Sequence, residues 1–142
     1  MESTLVEQSR LEAKDFLPLN GTDHVEFYVG NAKQSAYYYQ AAWGYELVAY
    51  AGPETGIREY ASYVLQQGKI RIVLTSAFSA THPISQHQLV HGDGVKVLAL
   101  WVDDAKAAHE ATISRGAKSA IPPTVSKDEF GDMAKLINEN ID

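Results

Sequence analysis

The chain has 142 residues, a length typical of one domain. Apolar residues make up 45% of it and charged residues 21%, which is ordinary globular usage and excludes a low-complexity chain. Twelve basic against eighteen acidic residues leave a net charge of −6, so we expect no nucleic-acid partner and no membrane partner. The absence of cysteine excludes disulfides, iron–sulfur clusters and thiol catalysis. Because neither a signal peptide nor an apolar membrane span is present, we expect a soluble, cytoplasmic protein.

The first half of the chain predicts one strand, one helix and three further strands. Residues 1–15 are polar and predict a flexible tail. In 24–29 the alternation predicts a strand that buries one face and presents His24, Glu26 and Tyr28 on the other. Gly30-Asn31 marks the start of a helix over 32–43, which Gly44 ends; its predicted sheet-facing stripe consists of Ala36, Tyr39 and Trp43. Three strands follow over 45–50, 59–66 and 70–76, separated by a loop at 52–56 and a turn at Gln67-Gly68.

The second half begins with a long connection and then repeats the opening pattern. Within 79–94, Pro83 favours a helix start and the HGDG stretch (91–94) favours its end. Residues 95–102 predict a strand, Asp103-Asp104 can cap a helix, and 105–115 predict that helix, ended by Gly116. VGNAK at 29–33 aligns with VDDAK at 102–106, an offset of 73 residues that indicates an internal repeat. The second copy is predicted to be incomplete, because Pro122-Pro123 resist a central strand and 132–142 read as a helical tail.

His24 is the leading candidate for chemistry. It shares a predicted strand face with Glu26 at a spacing of i, i+2, which can supply two metal ligands or an acid/base pair. The alternative is a hydrogen-bonded or solvated histidine at a strand edge. In the repeat, Val97 is the counterpart of His24, and valine binds no metal. A two-fold site with one ligand from each copy is therefore not available.

Other polar side chains give weaker signals. His87 and His91 are spaced i, i+4 and share a helix face, but no glutamate of an HExxH motif lies between them, so surface or capping roles are favoured for them and for His82. Mid-helix His109 is expected to face solvent. Arg58-Glu59 and Arg71 can clamp a substrate carboxylate, although salt bridges at strand edges are the alternative. Trp101 is expected to be a core residue.

Several segments together resemble a known family. They are VGNAKQ (29–34), LVAYAGPETGIRE (47–59), GKIRIVLTSA (68–77), HGDGV (91–95) and SKDEFG (126–131). In this order and spacing they resemble the N-terminal half of the 4-hydroxyphenylpyruvate dioxygenase family, over roughly residues 16–131. That family, and its relative 4-hydroxymandelate synthase, belongs to the vicinal-oxygen-chelate superfamily.

The resemblance implies an α+β fold with one complete strand–helix–three-strand module and an incomplete second module over 16–131. It also implies chemistry for the full-length enzyme. There, Fe(II) is held by two histidines and one glutamate, and an aromatic α-keto acid plus O2 yields homogentisate and CO2 in tyrosine degradation. The family's iron ligands belong to its C-terminal half.

The resemblance carries no catalytic and no cofactor-binding residue over to this chain. Only His24 occupies the superfamily's first-strand metal position. We therefore expect an N-terminal domain that is inactive alone and binds no cofactor, with the C-terminal catalytic half and a homo-oligomer as its partners. The alternatives are the N-terminal half of a hydroxymandelate synthase, a stand-alone dimeric small-molecule binding module, or a glyoxalase-type lyase or isomerase with ligands shared across a dimer. If strands are missing from the second module, an unpaired sheet edge predicts self-association or marginal stability.

Overall fold

The computed structural model describes residues 15–119 of the chain. Its strands are β1 (Gly21–Tyr28), β2 (Glu46–Ala51), β3 (Tyr60–Gln67), β4 (Ile70–Ala77) and β5 (Gly94–Trp101). Its helices are α1 (Ala32–Trp43), α2 (Pro83–His91) and α3 (Ala105–Ile113), with a short 3-10 helix at Pro53–Thr55. The interpretations made for 1–14 and 120–142 lie outside the described residues. Along 15–119 every predicted strand and helix is present, with ends shifted by up to three residues.

The strands form one sheet in the order β2-β3-β4-β1-β5. β1 and β4 run parallel, with Phe27 opposite Leu74 and Tyr28 opposite Thr75. The β2–β3 and β3–β4 pairs are antiparallel. Two strands that are neighbours in the sheet but run parallel require a crossover. Here α1, β2 and β3 make up the connection between β1 and β4. The first strand, the helix and the next three strands therefore form one structural module.

The core lies between α1 and one face of this sheet. Its buried residues are Val29, Ala32, Ala36, Leu65, Ile72 and Leu74. Leu65 and Leu74 are completely inaccessible to solvent, and burial of such side chains stabilises a fold by about 1.5–3 kcal/mol each. The small residues Ala32 and Ala36 let α1 approach the sheet closely. Tyr39 packs against the same cluster, whereas Trp43 is 58% exposed, so its predicted place in the buried stripe was wrong.

The helices that follow the first strand of each repeat copy, α1 and α3, have N-terminal caps of the same kind. The side chain of Asn31 accepts a hydrogen bond from the Gln34 N–H, and that of Asp104 accepts one from the Ala107 N–H. Both capping residues have extended backbones, with φ/ψ of −145°/100° and −135°/103°. Gly44 ends α1 in the left-handed conformation at φ 71°, where a Cβ is unfavourable. The α3 helix ends at Ile113, two residues earlier than predicted.

Clustering of contacts divides the described residues into two units. Residues 15–21 and 101–119 form the smaller unit, in which the Asn20 N–H donates to the Trp101 carbonyl at 2.8 Å. In the same unit the Arg115 guanidinium lies 3.8 Å from the ring centre of Phe16. The larger unit, 22–100, holds β2, β3, β4, most of β1 and β5, and helices α1 and α2.

Strand β5 ends the sheet and leaves large apolar side chains open to solvent. Val95, Leu98 and Trp101 are 56%, 59% and 53% exposed. The expectation that Trp101 is a core residue was therefore wrong. Alternation and size alone did not show that a residue on the terminal strand of this sheet stays exposed. None of the helices in the described part of the chain is long and apolar enough to span a membrane.

Candidate functional site

The sheet face opposite α1 carries the three β1 side chains that the alternation placed together. Alternation along β1 sends Phe27 into the core, so His24, Glu26 and Tyr28 lie on the opposite face. The strand registers bring Ser62 opposite Thr75 and Thr75 opposite Tyr28, which adds hydroxyls from β3 and β4. We call His24, Glu26, Tyr28, Ser62 and Thr75 the polar face.

A chain of hydrogen bonds crosses three strands of the polar face. The Thr75 hydroxyl donates to Glu26 Oε1 at 2.7 Å, and its oxygen lies 2.7 Å from the Ser62 hydroxyl. Since the single Thr75 proton goes to Glu26, the Ser62 hydroxyl is the donor to Thr75. Thr75 is only 2% exposed, so these hydrogen bonds satisfy polar groups that water reaches poorly. Ser62 and Thr75 were not identified from the sequence, because nothing local to either residue indicates the pairing.

His24 is held by its sequence neighbour and not by Glu26. Its Nδ1 lies 2.6 Å from Asp23 Oδ2, and the Arg71 guanidinium lies 3.7 Å from the other oxygen of the same carboxylate. A carboxylate on Nδ1 orients an imidazole and leaves Nε2 as the nitrogen that can bind a ligand or move a proton. The His24 side chain is 30% exposed, so this nitrogen belongs to a partly open histidine. Asp23 was missed in the sequence because it precedes the alternating stretch.

The residues of the polar face do not fit a three-ligand iron site. Within residues 15–119, side chains of His, Cys, Asp and Glu do not gather in threes in a way that could hold a metal ion. Glu26 Oε1 is already bonded to Thr75, and Val97 on β5 offers no ligand atom. The described part of the chain therefore supports no reaction step through iron, and a metal-binding role of His24 stays a prediction.

Helix α2 brings an imidazole against the Tyr28 end of the polar face. The rings of Tyr28 and His87 meet edge to face with centres 5.5 Å apart, and the His91 ring follows at 4.5 Å from that of His87. The ammonium of Lys96 lies 5.9 Å from the Tyr28 ring centre. His87 and His91 thus share a helix face as the spacing predicted, but the face contacts a tyrosine and a lysine.

This environment disfavours charge on both aromatic groups. Burial lowers the pKa of His87, and the nearby Lys96 and His91 lower it further. Burial, with Glu26 and Tyr60 nearby, raises the pKa of Tyr28. The Nδ1 atom of His87 is buried and has no hydrogen-bond partner among the described residues. The uncharged form of the His87 ring is therefore favoured in its contact with Tyr28.

Arg58 and Arg71 cannot clamp the same carboxylate. Arg71 lies opposite Gln66, to which it donates at 3.3 Å, and it also contacts Asp23. Arg58 precedes Tyr60 at the other end of β3, six or more residues away from Gln66. Because a strand rises about 3.3 Å per residue, the two arginines are too far apart to hold one carboxylate. For Arg71 the alternative interpretation, a contact at the strand edge, holds. His82 caps α2 and His109 is an exposed helix residue, as expected for both.

Two cavities open on the larger unit, and neither is lined by His24 or Glu26. One of about 420 Å³ lies on the helix-covered side, lined in part by Phe27, Tyr38 and Tyr39. The other, of about 410 Å³, lies beside the end of the β3–β4 pair and includes Arg58 and His82.

The strand–helix–three-strand unit and the second strand and helix that follow define the class of protein. Residues 21–134 match the family model described as the Glyoxalase/Bleomycin resistance protein/Dioxygenase superfamily, and the chain belongs to that superfamily. Among curated relatives, it is 44% identical over 123 residues to 4-hydroxyphenylpyruvate dioxygenase of Tetrahymena thermophila, covering 80% of this chain and 29% of the relative. The corresponding enzyme of Dictyostelium discoideum is 40% identical over 114 residues, covering 80% and 31%. The chain thus spans about a third of the length of the curated relatives it matches.

Solved structures agree with this placement. A mutant of 4-hydroxymandelate synthase from Streptomyces coelicolor superimposes with a TM-score of 0.70 at 28% identity, covering 75% of this chain and 33% of that one. Methylmalonyl-CoA epimerase from Mycobacterium tuberculosis superimposes with a TM-score of 0.60 at 22% identity, covering 75% and 69%. The second likeness concerns the fold alone. The sequence resemblance to the dioxygenase family and the α+β vicinal-oxygen-chelate fold are both confirmed.

Proposed function

We propose that this chain supplies the N-terminal domain of a cytoplasmic 4-hydroxyphenylpyruvate dioxygenase, with a structural role and no activity of its own. The observation that carries the proposal is 44% identity over 80% of the chain to an enzyme of that name more than three times as long as the matched region. The complete enzyme would convert 4-hydroxyphenylpyruvate and O2 to homogentisate and CO2. The iron that this requires would be held by residues outside 15–119.

The contacts of the polar face support a structural role for this domain, with the iron ligands elsewhere. Its carboxylate is bonded to Thr75, its histidine to Asp23, and its sheet neighbour β5 contributes no ligand at Val97. These groups stabilise three strands against one another. The exposed apolar side chains of β5, such as Val95 and Leu98, would pack against the remainder of the enzyme or against another subunit.

A chimera tests the proposal directly. The matching region of the Dictyostelium enzyme would be replaced by residues 16–131 of this chain, and homogentisate would be measured by chromatography with Fe(II), ascorbate and 4-hydroxyphenylpyruvate. We expect an active chimera. A matched chimera with the epimerase domain of equal fold should be inactive, since its surfaces did not evolve for this enzyme. A folded but inactive chimera with our chain would contradict the proposal.

The isolated chain provides the second arm of the test. With the same additions we expect neither oxygen uptake nor homogentisate. Turnover by the chain alone would mean that ligands are assembled between chains, beginning with the oriented imidazole of His24.

A stand-alone binding module is the second candidate. It is favoured by the fold likeness to methylmalonyl-CoA epimerase, where the superimposed region makes up 69% of the other chain. Such a module should be an obligate dimer with a pocket shared between chains, which sedimentation would show. A 4-hydroxymandelate synthase is disfavoured, because identity to it is 28% against 36–44% for the dioxygenases.

A further inference from the structure

The cavity beside the end of the β3–β4 pair is the strongest unassigned feature of the described residues. It has a volume of about 410 Å³ and is lined by Arg58, Glu59, Phe78, Ser79, Thr81 and His82. The Phe78 N–H donates to the Glu59 carbonyl at 3.0 Å, one step beyond the Tyr60–Ala77 pair of the ladder. The walls are therefore extensions of two paired strands, which gives the cavity a defined frame.

His82 presents a fixed donor to this cavity. Its Nδ1 accepts the Ile84 N–H at 3.1 Å as the cap of α2, so the proton of the neutral ring resides on Nε2. This Nε2–H is 4.0 Å from Glu59 Oε2, beyond hydrogen-bond distance. The His82 side chain is only 22% exposed, whereas Glu59 is 80% exposed. Among residues 15–119, this Nε2–H has no hydrogen-bond acceptor, and it lies at the cavity on a partly buried ring.

Arg58 supplies positive charge at the same place. Among residues 15–119 its guanidinium has no ion-pair or hydrogen-bond partner, although the chain as a whole carries a net charge of −6. The ring of Phe78, 57% exposed, forms an apolar part of the wall. The hydroxyls of Ser79 and Thr81 are already 2.9 Å from each other and are less available to a ligand.

We propose that this cavity binds a small organic carboxylate with an apolar body. The Arg58 guanidinium would pair with the carboxylate in a forked arrangement, the His82 Nε2–H would donate to one of its oxygens, and Phe78 would contact the apolar part. The carboxylate of Glu59 is the competitor within the chain, since it lies nearest to the His82 donor. This site is separate from the polar face and does not depend on the proposed dioxygenase role.

Charge changes of opposite sign test the proposal. Benzoate would be titrated into the labelled full chain, with the Arg58 Nε–H and His82 ring signals followed by NMR. We expect saturable shifts, weakening of about tenfold in Arg58→Gln, and strengthening of several-fold in Glu59→Gln. Arg115→Gln, a matched change in the smaller unit, should leave benzoate binding unaltered.

Two further probes distinguish charge from shape. Benzamide has the ring without the charge and should not bind, whereas inorganic phosphate has charge without the ring and should bind more weakly than benzoate. Equal binding of benzamide, tighter binding of phosphate, undiminished benzoate binding by a folded Arg58→Gln variant, or shifts that never saturate would each overturn the proposal.

Discussion

The hydroxyl of Thr75 donates a 2.7 Å hydrogen bond to the carboxylate of Glu26, joining the parallel strands β4 and β1 across 49 residues of chain. Thr75 is 2% exposed, and its oxygen also receives the Ser62 hydroxyl. The carboxylate that the sequence singled out as a candidate ligand is thus part of the connection between strands. The position of the Glu26 carboxylate indicates that it stabilises the contact between these strands.

Replacement of Thr75 by valine should destabilise the chain by about 1–3 kcal/mol, because the partly buried Glu26 loses its donor and Ser62 its acceptor. The free energy of unfolding in urea measures this loss. A double-mutant cycle of Thr75→Val with Glu26→Ala should show a coupling energy of about 0.5–3 kcal/mol. Additive effects of the two changes would contradict a direct Thr75–Glu26 interaction.

His87 should make the stability of the chain sensitive to mild acid. Its pKa is lowered below 6.5 in the folded state by burial, Lys96 and His91, so the unfolded chain binds the proton at higher pH. Stability is therefore complete above pH 6.5 and is lost as the pH falls from there through the lowered pKa. We expect the urea concentration at the unfolding midpoint to decrease as the pH is lowered from 7.5 to 5.

The His87→Gln variant should show a flatter dependence of the urea midpoint on pH, since it removes the titrating ring. His109→Gln changes an exposed histidine of α3 and serves as the control. Its pH dependence should match that of the unaltered chain. Equal slopes for all three proteins would show that the His87–Tyr28 contact does not govern the response.

Leu65 should be among the most sensitive core positions. It is completely buried between α1 and the sheet, so Leu65→Ala removes apolar contacts and leaves a cavity. We expect a loss of about 2–5 kcal/mol in the free energy of unfolding. Leu89 on α2 is 75% exposed, and Leu89→Ala should change stability by no more than about 0.5 kcal/mol. Similar losses for the two variants would refute the core described above.

Fe(II) should not stabilise the isolated chain, because the described residues bring no three ligands together. A ligand that binds the folded state raises the melting temperature. We therefore expect the same melting temperature with excess Fe(II) under anaerobic conditions and with a chelator. A rise with Fe(II) that His24→Ala abolishes would instead assign a metal to the imidazole that Asp23 orients.

Local patterns predicted the elements well because their causes are local. Alternation defined β1, the capping side chains of Asn31 and Asp104 begin α1 and α3, and Gly44 ends α1 in a left-handed conformation. The repeat offset of 73 residues even relates the two caps to each other. The family resemblance then supplied the grouping into one complete module and a second, incomplete one, whereas the strand order β2-β3-β4-β1-β5 came from the structure.

The polar contacts were less predictable, and several of them join distant residues. The His24 partner is Asp23 and not Glu26, and the Glu26 partner is Thr75 on a parallel neighbour strand. Of the two arginines proposed as a clamp, Arg58 precedes the start of β3, and Arg71 lies on β4 opposite Gln66 near the end of β3. The Glu26–Thr75 contact and the place of Arg71 opposite Gln66 depend on strand register, which a one-residue shift would alter completely.

The sequence by itself determined the class of fold, the helices and strands along 15–119, and which face of β1 is polar. Periodicity, capping residues and glycine turns act over a few residues, so one chain suffices to reveal them. Only the tertiary structure decided that Trp43 and Trp101 stay exposed, that Glu26 is bonded to Thr75, and that Arg58 and His82 face one cavity. These contacts arise when strand order and register bring distant residues together, and no local pattern specifies that.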